Sequence, residues 1–176
     1  DPHFELSAPS LFYLARLQLK TGGIIGASIP GTPIILSGRN EKLAWGITAS
    51  YLDDQDIFIE EKNVSNPNLY RTDEGWENFK VDKQYIKVKN SSDIEIERKW
   101  TRNGPVLPTT AFDLLSITPK QRVASLSWTA LDERDTTLSA AINLMLSQNV
   151  EKGLAALESF HAPSLNFLLV DNDKMA

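Results

Sequence analysis

The sequence predicts an α+β fold, and three observations carry that prediction. Short apolar runs punctuated by Gly, Pro and Asn fill the middle of the chain. Segments rich in Ala and Leu at helical spacing lie towards both ends. No strand–helix alternation and no internal repeat is present, which favours packed layers over a βαβ succession. At 176 residues the chain suits a single partial domain, 1–176, with a polar β excursion at about 63–99.

Residues 8–19 are expected to form a helix. Ser7 can cap it, Pro9 suits its first turn, and Leu11, Leu14, Ala15 and Leu19 recur at helical spacing. Thr21-Gly22-Gly23 then ends it. Strands are expected at 24–29, 33–36, 42–48 and 56–60, separated by Pro30-Gly31-Thr32-Pro33 and Gly38-Arg39-Asn40. Residues 63–83, polar and rich in Asn, Asp and Gly, read as a surface excursion. The runs 85–89 and 93–99 alternate, with Ile86 and Val88, then Ile94 and Ile96, on single faces; Asn90-Ser91-Ser92 predicts a hairpin between them. After Arg102-Asn103-Gly104-Pro105, further strands are expected at 111–117 and 123–128. Helices follow at 136–146 and 150–160, capped by Asp135 and Asn149, and a buried strand at 166–171. The helices at 8–19 and 136–160 are expected to cover the sheets.

Composition narrows the function. The apolar fraction of 41% and charged fraction of 23% are ordinary for a soluble globular protein. A net charge of −5 argues against a nucleic-acid surface, and the basic run 98–102 reads as the solvated end of a strand. With no cysteine, thiol catalysis, disulfides and Cys-based zinc sites are excluded within these residues. The longest apolar runs, such as Phe167–Val170, are too short to span a bilayer.

Four features could carry chemistry, and each has a plainer alternative. His3 lacks metal-ligand spacing, and His161 reads as a residue that caps or decorates a helix end. Asp53-Asp54-Gln55-Asp56 gathers three carboxylates that a hard cation would relieve, or else forms a solvated turn. Residues 45–50, Trp-Gly-Ile-Thr-Ala-Ser, end a strand in small residues, which suits either an ordinary turn or close approach of a ligand to backbone N–H groups. Asn166 opens an apolar strand and needs hydrogen-bond partners there; its amide could also serve as an oxyanion donor.

Taken in order, the segments Asp1–Phe4, Ala8–Tyr13, Gly38–Glu41, Leu43–Gly46, Asp53–Phe58, Arg102–Val106, Trp128–Asp132, Thr136–Leu138 and Ala162–Asp171 closely resemble the penicillin acylase family of N-terminal nucleophile hydrolases. The likeness covers nearly the whole chain, with 63–99 its least distinctive part. It implies the four-layer αββα architecture, incomplete in these residues. It also implies an amidohydrolase whose precursor cleaves itself to expose a serine, placed by the resemblance a short way upstream of Asp1. The serine attacks an amide carbonyl while its own α-amino group, which titrates near neutrality, takes the proton.

The resemblance assigns roles residue by residue. His3 stands beside the nucleophile and orients it; Ala49 offers a backbone N–H and Asn166 a side-chain amide to the oxyanion; a further catalytic arginine is expected beyond Ala176. Phe4, Ser37 and Ile47 match the lining of the acyl pocket, and a small residue at Ser37 implies a deeper pocket that prefers an aliphatic chain over phenylacetyl. Asp53, Gln55 (through its carbonyl) and Asp56 match a structural calcium site completed by the small α subunit of the same precursor. No organic cofactor, nucleic acid or membrane span is expected, the substrate is a small N-acyl amide, and the setting is periplasmic or secreted. The resemblance leaves open whether that amide is a β-lactam, an acyl-homoserine lactone, a lipopeptide or another N-acyl compound. The alternative is a non-catalytic module of the same fold that binds calcium or an acyl ligand without turning it over.

Overall fold

The computed structural model describes residues 7–176. In chain order the elements are β1 (Tyr13–Leu19), β2 (Gly22–Ser28), β3 (Ser37–Arg39), β4 (Ala44–Ala49), β5 (Gln55–Glu61), β6 (Leu69–Thr72), β7 (Gly75–Asn78) and β8 (Lys80–Ile86). They continue with β9 (Ile94–Thr101), β10 (Gly104–Leu107), α1 (Leu114–Ile117), β11 (Arg122–Trp128), α2 (Thr137–Leu146), α3 (Val150–Leu157) and β12 (Leu165–Val170). The α+β class holds. The chain forms two compact units: 7–52 with 132–176 in the first, and 53–131 in the second.

In the first unit an antiparallel sheet runs in the order β1-β2-β3-β4-β12. Alternation along β4 sends Trp45 to one face, where it meets its register partner Leu169 of β12. These two, with Ile24, Ile35 and Leu43, pack against Leu144, Met145 and Val150 of the helical segment to form the core. Trp45 Nε1 donates to the carbonyl of Ile35 at 3.0 Å, so burying the indole leaves no polar atom unpaired. Asn149 caps α3 by accepting from the Lys152 amide, as expected. Asp135 accepts from the Thr137 amide at 3.2 Å, although the N-cap residue of α2 is Thr136.

Three sequence expectations fail here. Residues 13–19 are a strand, not part of a helix. Leu19 pairs with Gly22 across the two-residue loop Lys20-Thr21, and Gly22 has φ of +129°, a conformation that favours glycine. The hairpin satisfies the backbone non-locally, and the same apolar residues that fit a helical period also serve alternation. The strand expected at 33–36 starts instead at Ser37. Side chains claim both backbone groups of Ile35: its N–H donates to Met145 Sδ (3.3 Å) and its carbonyl accepts from Trp45. The strand expected at 111–117 is a turn followed by α1. Phe112 and Asp113 have φ of 54° and 57°, and two left-handed residues in succession break an extended chain.

The second unit holds a sheet in the order β5-β11-β10-β9-β8 and the separate β6-β7 hairpin. The 63–83 stretch includes the ordered strands β6 and β7 and the start of β8. Tyr70 and Phe79, both buried, stack at 5.0 Å there, and the Tyr70 hydroxyl accepts from the Arg102 amide (2.9 Å) while donating to Glu77 (3.0 Å). The expected hairpin is present as β8 and β9, with Ile86 opposite Ile94.

Candidate active site

The site is built where β4 and β12 end together. Ala49 is the register partner of Leu165, Thr48 of Asn166, and Ile47 of Phe167. One step further, Ser50 donates to the Ser164 carbonyl through both its amide (3.4 Å) and its hydroxyl (2.8 Å). Antiparallel pairs alternate between bonded and non-bonded, so the 49/165 pair is non-bonded and the Ala49 N–H turns away from β12. On that side the register between β3 and β4 stops at Gly38 and Trp45, short of Ala49.

Asn166 projects from the neighbouring strand. Its Nδ2 donates to Thr48 Oγ1 at 3.1 Å and to the Ala49 carbonyl at 3.4 Å. The fold thus brings Ala49 and Asn166, 117 residues apart, into direct contact. Alternation places Ile47 and Ala49 on the helix-facing side of the sheet, with Thr48 and Asn166 on the other. The two groups therefore flank the strand ends instead of lining one face.

An apolar cavity of about 500 Å³ opens at Ala49. Phe12, Ile29, Ile34, Leu36, Ile47, Phe160 and Leu165 line it, with Thr48, Tyr51 and Thr137 among the remainder, and no charged side chain among the described residues contributes. The volume falls in the range of small-molecule pockets and the lining suits an aliphatic or aromatic group. Ile47 takes the position expected of it. Ser37 does not line this cavity; its hydroxyl donates to the Trp45 carbonyl at 3.4 Å. His3 and Phe4 lie outside the described residues.

Several lining residues were not anticipated. Ile29, Ile34 and Leu36 bracket the Pro30–Pro33 turn, and apolar residues on either side of a Pro-Gly turn were the available signal. Tyr51 carries φ of 54°, so the chain bends sharply just after Ala49.

Asp53, Gln55 and Asp56 are exposed, the last two at the start of β5. Among the described residues no three His, Cys, Asp or Glu side chains converge as a metal site. Calcium takes six to eight oxygens. Two carboxylates and one carbonyl fall short of that, so these residues fit calcium only as a partial ligand set.

The family model described as penicillin amidase matches residues 1–176. Among curated relatives, the acyl-homoserine lactone acylase QuiP of Pseudomonas aeruginosa is 27% identical over 97% of this chain and 21% of its own length. The enzyme of the same name from Pseudomonas syringae pv. tomato is 33% identical over 97% of this chain and 20% of its own length. Penicillin G acylase of Escherichia coli is 30% identical over 73% of this chain and 16% of its own length. Among solved structures, a thermostable penicillin G acylase from Alcaligenes faecalis superposes with a TM-score of 0.71 at 26% identity, covering 93% of this chain and 28% of that one. The chain spans about a fifth of the length of the curated relatives it matches.

Proposed function

The chain belongs to the penicillin amidase family, with the α+β fold of its N-terminal nucleophile hydrolases, and from that premise we propose that it supplies the acyl pocket and oxyanion donors of an amidohydrolase. The observation that carries this reading is the contact of Ala49 with Asn166 at the rim of an apolar cavity of about 500 Å³.

In this reading a serine from outside the 176 residues attacks the carbonyl of an N-acyl amide, and its α-amino group takes the hydroxyl proton. Negative charge gathers on the carbonyl oxygen. The Ala49 N–H, turned away from the β12 ladder, and the Asn166 Nδ2 hold that charge, the amide exchanging its resting contact with Thr48 Oγ1 for the oxyanion. The amine departs with the proton and water then releases the acid from the acyl-enzyme. His3 orients the serine. The acyl chain fills the cavity over Ile47, and medium-length aliphatic chains are expected to turn over faster than phenylacetyl.

Asp53, Gln55 and Asp56 would hold a structural calcium together with ligands from a small α subunit, a role in assembly and not in the chemistry. A periplasmic or secreted setting completes the proposal.

Intact mass of the full-length gene product and its hydrolysis of octanoyl and phenylacetyl amides test it. Two chains split before a serine and faster octanoyl turnover are expected. A single uncleaved chain inert towards both amides would overturn the reading.

A further inference from the structure

Beside the acyl cavity lies a second one of about 400 Å³, and its chemistry differs. The two share Phe160, Pro163, Ser164 and Leu165 as a common wall. Beyond that wall Ser50, His161 and Asn166 supply polar groups. Ala49 lines the first cavity and Asn166 the second. An amide held between these two donors would lay its acyl chain on one side of the wall and its nitrogen on the other. We propose, resting on the amidohydrolase reading, that the second cavity takes the amine half of the substrate. His161 is its specificity-determining side chain, selecting amines that carry an ester, lactone or carboxylate oxygen beside the nitrogen.

Hydrogen bonding singles out His161. The Ser50 hydroxyl gives its proton to the Ser164 carbonyl, and the Asn166 amide already donates to Thr48 and Ala49. The imidazole of His161 has no hydrogen-bond partner among the described residues, and the nearby Asp132 carboxylate is engaged by Arg134 at 3.0 and 2.7 Å. Its ring is therefore the lining group with an uncommitted N–H for a substrate oxygen.

His161 is also held in place. Its backbone N–H and that of Ala162 both donate to Thr137 Oγ1 at 3.0 Å. The Thr137 hydroxyl donates in turn to Asp135 Oδ1 at 2.5 Å, and Thr136 Oγ1 donates to the Ser159 carbonyl at 2.8 Å. The turn between α3 and β12 is thus pinned from the start of α2. Phe160 and Phe167, packed edge to face at 5.0 Å, present ring carbon to the body of the amine.

The test uses the full-length enzyme and two octanoyl amides, one of alanine methyl ester and one of propylamine. Wild type should favour the ester-bearing amide. His161→Ala should lower that preference about tenfold, the scale of one neutral hydrogen bond, mainly through KM. His161→Gln, which keeps a donor, should restore most of it, and the ratio of octanoyl to hexanoyl turnover should not move. An undiminished preference in His161→Ala, or none in wild type, overturns this proposal alone. Wild type inert on both amides overturns the amidohydrolase reading and the proposal with it.

Discussion

At Asn40 every hydrogen-bonding position of the carboxamide is in use. Nδ2 donates to the carbonyls of Met145 (3.0 Å) and Ser147 (2.7 Å), and Oδ1 accepts from the amides of Lys42 and Leu43, both at 2.8 Å. The side chain ties the β3–β4 turn to the end of α2, so the strand leading to Ile47 and Ala49 is anchored at its start. It is 8% exposed, and each buried polar group left unpaired costs about 1–3 kcal/mol. Asn40→Ala should therefore lower unfolding stability by about 3 kcal/mol or more, read from the urea midpoint. Asn40→Asp should do no better, because it sets a carboxylate against two carbonyls. In the proposed reaction Asn166 is an oxyanion donor. Removing one oxyanion donor costs about 100- to 1000-fold in turnover. Asn166→Ala in the full-length enzyme should lose that much kcat with KM little changed and the urea midpoint within error. A kcat within threefold of wild type would remove Asn166 from the mechanism. The sequence marks Asn166 as a lone amide at the head of an apolar strand, whereas it shows Asn40 as a turn residue within a matching segment. What Asn40 does depends on carbonyls more than a hundred residues away, which no local pattern encodes.

Among the elements, α3 touches the sheet through a glycine. A methyl added at Gly153 would stand 2.9 Å from Leu169 Cδ1 and 3.1 Å from Leu43 Cδ2, both on fully buried residues. Helix propensity favours Ala over Gly by about 1 kcal/mol, while overpacking a core costs about 1–3 kcal/mol. Gly153→Ala should thus be destabilising by about 1 kcal/mol and Gly153→Leu far more so; a stabilised Gly153→Ala in thermal melts would contradict the close packing. The start of α3 is fastened by Asp171, whose carboxylate accepts from the amides of Val150 (2.8 Å), Asp173 (2.8 Å) and Lys174 (2.7 Å). Those bonds hold its pKa below the ordinary 3.8. A depressed folded-state pKa contributes stability that is fully present above the unfolded value and is lost as pH falls through the folded one. The stability gap between wild type and Asp171→Asn should accordingly be open at pH 7 and close below pH 3.8; a gap independent of pH would refute the link. The C-terminal helices and β12 are legible because caps and period agree there. Residues 13–19 are not, because Ala15 and Leu19 satisfy two periods and only pairing with β2 decides between them.

For the whole molecule the deciding quantity is surface. The chain exposes 12476 Å². Two self-contained globules with the masses of the two units would expose about 10,000 Å² between them by the scaling of monomeric proteins. The excess, about a fifth, is counted against the larger allowance that independent globules set. It includes apolar side chains that a finished surface rarely shows together: Leu14 and Phe112 at 85% exposure, Tyr51 at 89% and Leu115 at 70%. The sequence cannot register this, because composition counts apolar residues without saying which remain uncovered, and 41% apolar is ordinary. The 176 residues match about a fifth of the length of the relatives, so the remainder of such a protein would offer ample surface to cover these side chains. Produced alone, the chain should bind an apolar dye and sediment as concentration-dependent oligomers. Produced with the rest of the gene product, dye binding should fall severalfold and sedimentation should become independent of concentration. An isolated chain that stays monomeric and dye-free would show that this surface is stable in water as it stands, and would shift weight from the amidohydrolase reading to a self-sufficient binding module.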